Sequence, residues 1–461
     1  MIKWMGLGVA AAVCATMAVN TDRQGARPRA LRSSDLRIPD VLVDLPDDER
    51  KREFILDCTG CHQMDMARVF PDGHRRSDSA WTAIVQRMMS FAGARTGFPV
   101  IGSQRDAVAT AAYMRQVLPD PNRISTHQVR AEANFDSVQV REYLLDEPTD
   151  LPHDIAVDSA GRIVVTGMMT HRMLVLDTAS GRWSNIDIPV PSANPRALDV
   201  DRAGRWWVAL GRPGKVARYT PRETGGAWAV FDAGMYAHSV ASAPDGNLWL
   251  NGHFTRDPEL IARVDTNSSA VVTTSITPHP ILANDPGGPI PYELRVARDG
   301  TVWTSELRGN RIIGFNPATK QQQVIDMPRP HMGPRRFDVD ASGVLWVPAY
   351  AANALLRIDP KASGAARIQE FPIPVSNVLP YVARLAPGDS ALWIGTGAGG
   401  GVFRFDVRTR RFTYIPLPSP GALVRHLTIN PRTGDVWLAY GASPGIPARI
   451  ARVAVQHFGR E

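Results

Sequence analysis

Cysteine is nearly absent: three in 461 residues, too few for a scaffold built on disulfides. Long apolar runs are equally scarce. The stretch from Trp4 to Val19 is strongly hydrophobic, and no other approaches the roughly 20 residues that cross a bilayer as a helix. A multi-span helical membrane protein is thereby excluded. No sign of charge dominates, since 52 lysines and arginines against 45 acidic residues leave +7. That excess, with a pI near 9.5, suits acidic partners or surfaces but is spread along the chain, so no nucleic-acid partner is expected. Glycine (38) and proline (37) are frequent enough for many turns but follow no collagen-like or low-complexity order. What is there can fold. Hydrophobic residues make up 44% and charged residues 21%, and mean hydropathy is −0.17, a composition that excludes wholesale disorder. The length corresponds to about three ordinary domains, or to a repeat fold that absorbs more in one body.

The N-terminus has the layout of a secretory signal. Lys3 precedes the apolar stretch, Ala15 and Ala18 supply small residues for cleavage, and Asp22, Arg23, Arg27, Arg29 and Arg32 follow. Residues 1–19 are therefore expected to be a signal peptide and 20–44 a linker, with the mature protein soluble in the periplasm. Left uncleaved, the segment would anchor the chain in the membrane. Lipid attachment at Cys14 is disfavoured by Val13 before it. Cleavage removes Cys14 and leaves Cys58 and Cys61.

Those two cysteines lie in Cys58-Thr59-Gly60-Cys61-His62, the attachment pattern of a c-type haem. Thiols three positions apart on one helical turn can each form a thioether to a haem vinyl group, and the adjacent His62 then offers its imidazole to the iron. Zinc is disfavoured, because no second cysteine pair completes four ligands. For the opposite axial position, Trp81, Ile84, Val85 and Met88 fall on one face of a helix capped by Ser77-Asp78-Ser79. Met88 ends that face and is the preferred thioether ligand. Met64, Met66 and Met114 compete, and a plain core methionine is the alternative. With the pentapeptide, the Trp81 to Met88 helix and a helix bearing Tyr113 and Met114, residues 45–122 resemble a small c-type cytochrome domain. The resemblance implies an all-α fold, one covalent haem c and an electron-transfer partner protein.

After Pro119-Asp120-Pro121-Asn122 the character changes. Short alternating apolar runs punctuated by glycine, proline, asparagine and aspartate indicate an all-β region, and self-similarity returns about every 40–50 residues. The repeats open at Pro152-His153-Asp154-Ile155, Pro195-Arg196, Ala237-His238, Pro291-Tyr292, Pro334-Arg335-Arg336, Pro380-Tyr381 and Val424-Arg425-His426. A turn such as Asp340-Ala-Ser-Gly343 follows each, then a strand bearing Trp207, Trp249, Trp303, Trp346, Trp393 or Trp437, with Val164 in the first copy. Two further strands complete the unit. Seven such units over 138–457 predict a seven-bladed β-propeller behind the cytochrome domain. The last copy lacks a fourth strand, and the segment from Val138 to Leu144 is expected to supply it, so that no edge is left open.

Trp303-Thr304-Ser305-Glu306, with the Pro152-His153-Asp154-Ile155 type of opening, resembles the virginiamycin B lyase (streptogramin lyase) family. That resemblance implies a propeller that opens a cyclic antibiotic ester by elimination, with a metal ion and a histidine base at one mouth. Its Trp-x-x-Glu pattern occurs here only at Glu306; the matching positions are Gly167, Leu210, Gly252, Ala349, Thr396 and Tyr440. Read from the residues alone, the second position of each opening carries His153, Arg196, His238, Tyr292, Arg335, Tyr381 or Arg425. If these face the axis, then with Arg336, His426, Glu293 and Glu306 nearby they ring a cationic funnel for an anionic or phenolic ligand, or they merely solvate the channel. His153, His238, Glu306 and His426 are the catalytic candidates, and Glu306 with two or more histidines is a candidate divalent-metal site. Elimination is redox-neutral, so a haem adds nothing to it. The expectation is an exported haem c electron-transfer protein whose propeller binds a substrate or redox partner, with oxidation of a small anionic or phenolic molecule as its enzymatic form. The alternatives are a lyase with a tethered cytochrome and a non-catalytic docking scaffold.

Overall fold

The repeats of residues 138–457 form seven four-stranded antiparallel sheets in the computed structural model. The residues described are 37–39, 42, 45–60, 62–64, 66–90, 106–118, 120–121, 126–128, 138–223, 225–253, 259–283, 288–419, 422–441 and 447–454. Residues 1–19, expected from the sequence to be a signal peptide, and Cys61 lie outside them. Blade one consists of Pro152–Val157, Ile163–Gly167, Arg172–Asp177 and Arg182–Asp187, paired in that order. The innermost strands of successive blades touch around the axis. Second strands such as Ile163–Gly167 and Trp206–Leu210 are buried along their whole length, because a neighbouring blade covers each face. Outermost strands such as Arg182–Asp187 are largely exposed. This gradient explains why the second strand of each unit is the most apolar run.

The tryptophans are core residues. Trp207 and Trp346 also tie the strand to the turn before it, donating from Nε1 to Asp201 at 2.9 Å and to Asp340 at 3.1 Å. The turn glycine is required, since Gly343 sits at φ +89°, where side chains are strained. The ring closes as expected. Gln139–Leu144 pairs with Arg449–Ala454, Val140 opposite Val453, so one blade holds both ends of the propeller. Blade five departs from the pattern. Its innermost strand shrinks to Asp338–Val339, and the expected strand at 334–337 is replaced by isolated bridges, Pro334 to Ala349 and Arg336 to Val382 of the next blade. Two consecutive arginines are both buried there, which alternating strand geometry cannot provide.

Ahead of the propeller lie α1 (Glu49–Cys58), α2 (Met66–Val69), α3 (Asp78–Met89) and α4 (Ala107–Val117). Asp48 caps α1 by accepting from Lys51 N at 2.8 Å, and Ser77 caps α3 at Ala80 N, 3.2 Å. Phe54 of α1 meets Tyr113 of α4 edge-on at 5.7 Å. On α3 the apolar face appears as read: Trp81 and Val85 are buried, Ile84 and Met88 half-buried. These helices share one core with the propeller. Phe54, Leu56, Trp81 and Met114 belong to the same buried cluster as Tyr292, Leu307, Tyr350 and Tyr381, and each such large side chain contributes about 1.5–3 kcal/mol of burial.

Candidate functional site

The axial side chains reach the channel through a repeated irregularity. In six blades the register between the first two strands shifts at the second position of the opening segment: His153, Arg196, His238, Tyr292, Tyr381 and Arg425. Such a bulge re-aims a side chain that regular alternation would place elsewhere. In blade five the broken strand does the same for Arg335. All seven residues are buried, where an open funnel was expected. The helical segment covers the Arg335, Tyr292 and Tyr381 side of this mouth, while His153, His238 and His253 pack on one another.

The segment following α1 is seated directly on these residues. Arg335 Nη2 donates to Gly60 O at 3.3 Å, Tyr350 Oη donates to Thr59 O at 2.9 Å, and Gln63 Nε2 donates to Ala422 O at 2.9 Å. Arg52 Nε reaches Pro330 O at 2.8 Å. Below, the Arg335 guanidinium stacks on the Tyr381 ring at 3.8 Å and on Tyr350 at 4.1 Å, while the hydroxyls of Tyr292 and Tyr381 meet at 2.5 Å. Thr59 and Gly60 are therefore neighbours of Tyr350 and Arg335 at the axis.

Further along the axis the polar groups pair. Arg336 binds Asp154 at 2.8 Å, and Arg384 binds Glu293 at 2.7 Å and His426 Nε2 at 2.9 Å. His238 and His253 stack at 3.9 Å, and their Nδ1 atoms donate to the carbonyls of Tyr292 (2.7 Å) and Pro291 (2.9 Å). Both rings thus carry the proton on Nδ1. Burial holds the pKa of His238, His253 and His426 well below the ordinary imidazole value, and that of His153 down to about 3, so all four are neutral near pH 7. At the far end the channel opens into a cavity of about 500 Å³. Arg295, Arg298, Arg384, Glu293, Asp199 and His426 contribute to its walls.

The structure thus gathers His153, His238 and His426 on the axis. It turns Glu306 elsewhere, for both its oxygens accept from Arg311, at 2.7 and 2.9 Å. Burial, with the charge of Glu306 beside it, pushes Glu259 up to about 9, so one carboxyl of this pair holds a proton. Among the described residues no group of three or more His, Cys, Asp or Glu side chains is arranged to hold a metal ion. Arg336 and Glu293, read in the sequence as neighbours of the funnel, lie in the axial column, and Arg384, His253 and Tyr350 complete it without having been singled out as site residues. Nothing in the local sequence marks those three, because none occupies the second position of an opening segment.

At the pentapeptide, Cys58 ends α1 half-buried. His62 Nδ1 lies 3.0 Å from Gln63 O, a contact in which the ring must donate, and this leaves Nε2 as the free lone pair. Burial lowers the His62 pKa, favouring the neutral ring that ligates metals. Met88 is half-buried near the end of α3, Met64 packs on the shared core, and Met114 is buried in it.

No protein-family profile and no curated protein sequence matches the chain. Solved structures do. A catalytically inactive virginiamycin B lyase from Staphylococcus aureus with quinupristin aligns at TM-score 0.59 and 17% identity, over 69% of this chain and 99% of that one. A streptogramin B lyase aligns at 0.59 and 18%, over 70% of this chain and all of that one. Hydrazine synthase from Kuenenia stuttgartiensis aligns at 0.50 and 15%, over 64% and 94%. At such identities the likeness establishes the propeller fold, and enzymes of different chemistry share it.

Proposed function

We propose that the protein is an exported haem c electron-transfer protein whose propeller binds a small anionic or phenolic substrate or a redox partner. The observation that carries this reading is the seating of the Cys58–His62 segment on the channel mouth through Arg335 and Tyr350. A redox-neutral propeller enzyme has no use for that adjacency, whereas electron exchange falls off steeply with distance and requires it. The donor chemistry fits the group. Cys58 and Cys61 would hold the haem by thioether bonds, His62 Nε2 would be one axial ligand, and Met88 is the preferred candidate for the other. When bound, such a haem supplies one-electron transfer.

The chain's own residues do the rest. Gln63 O fixes the tautomer and orientation of His62, a partner of the kind that raises ligand basicity. Arg335 and Tyr350 grip the peptide carbonyls of Gly60 and Thr59, holding the segment against the axis. The buried core between helices and propeller excludes water from that junction, which strengthens every electrostatic contact inside it. The lyase alternative retains the fold likeness, but Glu306 is committed to Arg311. The periplasm is the compartment in which the covalent attachment would be made.

The test is secretion through a host competent for cytochrome c maturation, followed by a pyridine haemochrome spectrum. A thioether-linked haem is expected in the wild type and its loss in Cys58→Ala and Cys61→Ala. Mature protein without Soret absorbance overturns the reading. Anaerobic loss of a streptogramin with an unchanged haem spectrum would favour the lyase.

A further inference from the structure

The cavity at the far end of the channel, about 500 Å³, is of the size that encloses a small molecule. The repeat leaves room for it. The fifth residue of the opening strand is small in blades one and seven, Ala156 and Thr428, where blades two, four, five and six carry Asp199, Arg295, Asp338 and Arg384. Most of the charge around this space cancels in place. Arg336 pairs with Asp154 at 2.8 Å, Arg384 with Glu293 at 2.7 Å, and Arg295 with Glu293 at 3.0 Å and Asp338 at 3.8 Å. Three arginines thus answer three carboxylates, and Asp199 is left over. Its oxygens accept from backbone amides, Val200 N at 2.9 Å and Ser242 N at 2.6 Å, and among the described residues no basic group lies within ion-pair range of it. A carboxylate this deep in a protein ordinarily has a cation beside it.

Asp199 and Arg295 face the cavity from blades two and four and do not close on each other, yet each feels the other's charge. Burial raises the Asp199 pKa, and the Ser242 hydrogen bonds and the Arg295 charge offset this only in part. Burial opposes the charge of Arg295, but Glu293, Asp338 and Asp199 outweigh it. Arg295 directs Nη2 at Glu293 and Nε at Asp338 and Phe337 O, while its Nη1 makes no hydrogen bond among the described residues. A carboxylate without a cation and a guanidinium with a spare donor therefore stand apart across one polar space. A molecule that completes both carries an ammonium and a carboxylate side by side.

We propose that this cavity binds a free α-amino acid, with its ammonium on Asp199 and its carboxylate on Arg295. Lying head to tail between the two, the ligand aligns its dipole with theirs. A plain amine satisfies Asp199 alone and a plain carboxylate Arg295 alone. In a peptide the two ionic groups move apart, so the free amino acid is the occupant that fits. The site lies at the opposite end of the channel from the seat of Cys58–His62, and it does not depend on haem.

Thermal unfolding of the full-length protein with each of the common L-amino acids in turn identifies the ligand, and isothermal titration calorimetry then gives its affinity. At least one is expected to raise the midpoint saturably. The amine lacking its carboxylate and the N-acetyl form lacking its ammonium should each bind at least about tenfold more weakly. Asp199→Asn, which keeps an oxygen for Ser242 N, should weaken binding to a similar extent, as should Arg295→Gln. If Arg295→Gln disturbs folding through Glu293, the two analogues still decide the matter on the wild type. The proposal is overturned if none of the amino acids stabilises the protein, if the amine binds as tightly as its amino acid, or if Asp199→Asn leaves the affinity unchanged. Pyridine haemochrome on the same sample reads the electron-transfer proposal separately, so either can fail alone.

Discussion

At the scale of single residues, buried ionisable groups pull the pH dependence of stability in opposite directions. The axial histidines have folded pKa values below the unfolded value of about 6.5. Their contribution is complete above that value and is lost as pH falls through it, so acid should unfold the propeller cooperatively. Glu259 behaves in reverse. Burial and the neighbouring Glu306 raise it to about 9, so the stability associated with its protonated form is complete below about pH 4.5 and declines as pH rises to about 9. Glu259→Gln removes that decline. Denaturant melts across this window should show the variant gaining on the wild type by at most about 1.4 kcal/mol per pH unit, the limit for one proton. Parallel curves for the two proteins would show that Glu259 ionises normally. Its neighbour Glu306 stood out in sequence because the Trp-x-x-Glu spacing survives there, and Arg311, five residues on, claims the side chain.

At the scale of elements, seven units were legible because a blade cannot bury its faces alone and must repeat the same apolar second strand and turn. The axial position was legible for the same reason, as the second residue of each opening. What those residues meet was not. Arg336 pairs with Asp154 and Arg384 with Glu293 across the ring, contacts set by closure and by bulges that leave no mark in local sequence. The helical segment hid its seat for a different reason. Lys51, Arg52 and Asp57 are of residue types that ordinarily face solvent, yet all three are buried, with Arg52 bound to Pro330 O and Asp57 facing Arg308 at 3.8 Å. Ring closure itself has an anchor. Glu142 on the closing strand accepts from Ser419 N at 3.0 Å, from Ser419 Oγ at 2.6 Å, from Arg449 at 3.1 Å and from the Tyr440 hydroxyl. Glu142→Ala strips these partly buried partners and should cost about 1–2 kcal/mol in urea unfolding. Glu142→Gln, which keeps the acceptor oxygen, should recover part of it. An unchanged midpoint in Glu142→Ala would mean that the strand is held by its backbone ladder alone.

At the scale of the whole molecule, the question is whether helices and propeller behave as one body, since the electron-transfer proposal depends on the pentapeptide staying on the mouth. The continuous core predicts that they do. Gly333 offers a clean probe. It adopts φ +69° against α1, and a Cβ there would lie 2.6 Å from Leu56 Cδ2. Gly246 has a similar backbone, φ +84°, with nothing within 4 Å of a Cβ. Alanine at either position pays the same left-handed penalty of about 1 kcal/mol. Only Gly333→Ala also drives a methyl into the seat of α1. Overpacking of that kind costs about 1–3 kcal/mol more. Hydrogen exchange separates the two effects. Gly246→Ala should leave α1 amides as protected as in the wild type, relative to global stability. Gly333→Ala should speed exchange in α1 and in residues 59–63 while the second strands of blades one and two keep their protection. If both variants lose protection uniformly, α1 melts only with the ring, and helices and propeller are a single cooperative unit. If neither alters α1 exchange, the mouth is gripped by Arg335 and Tyr350 rather than by apolar packing, and Tyr350→Phe becomes the variant that releases it.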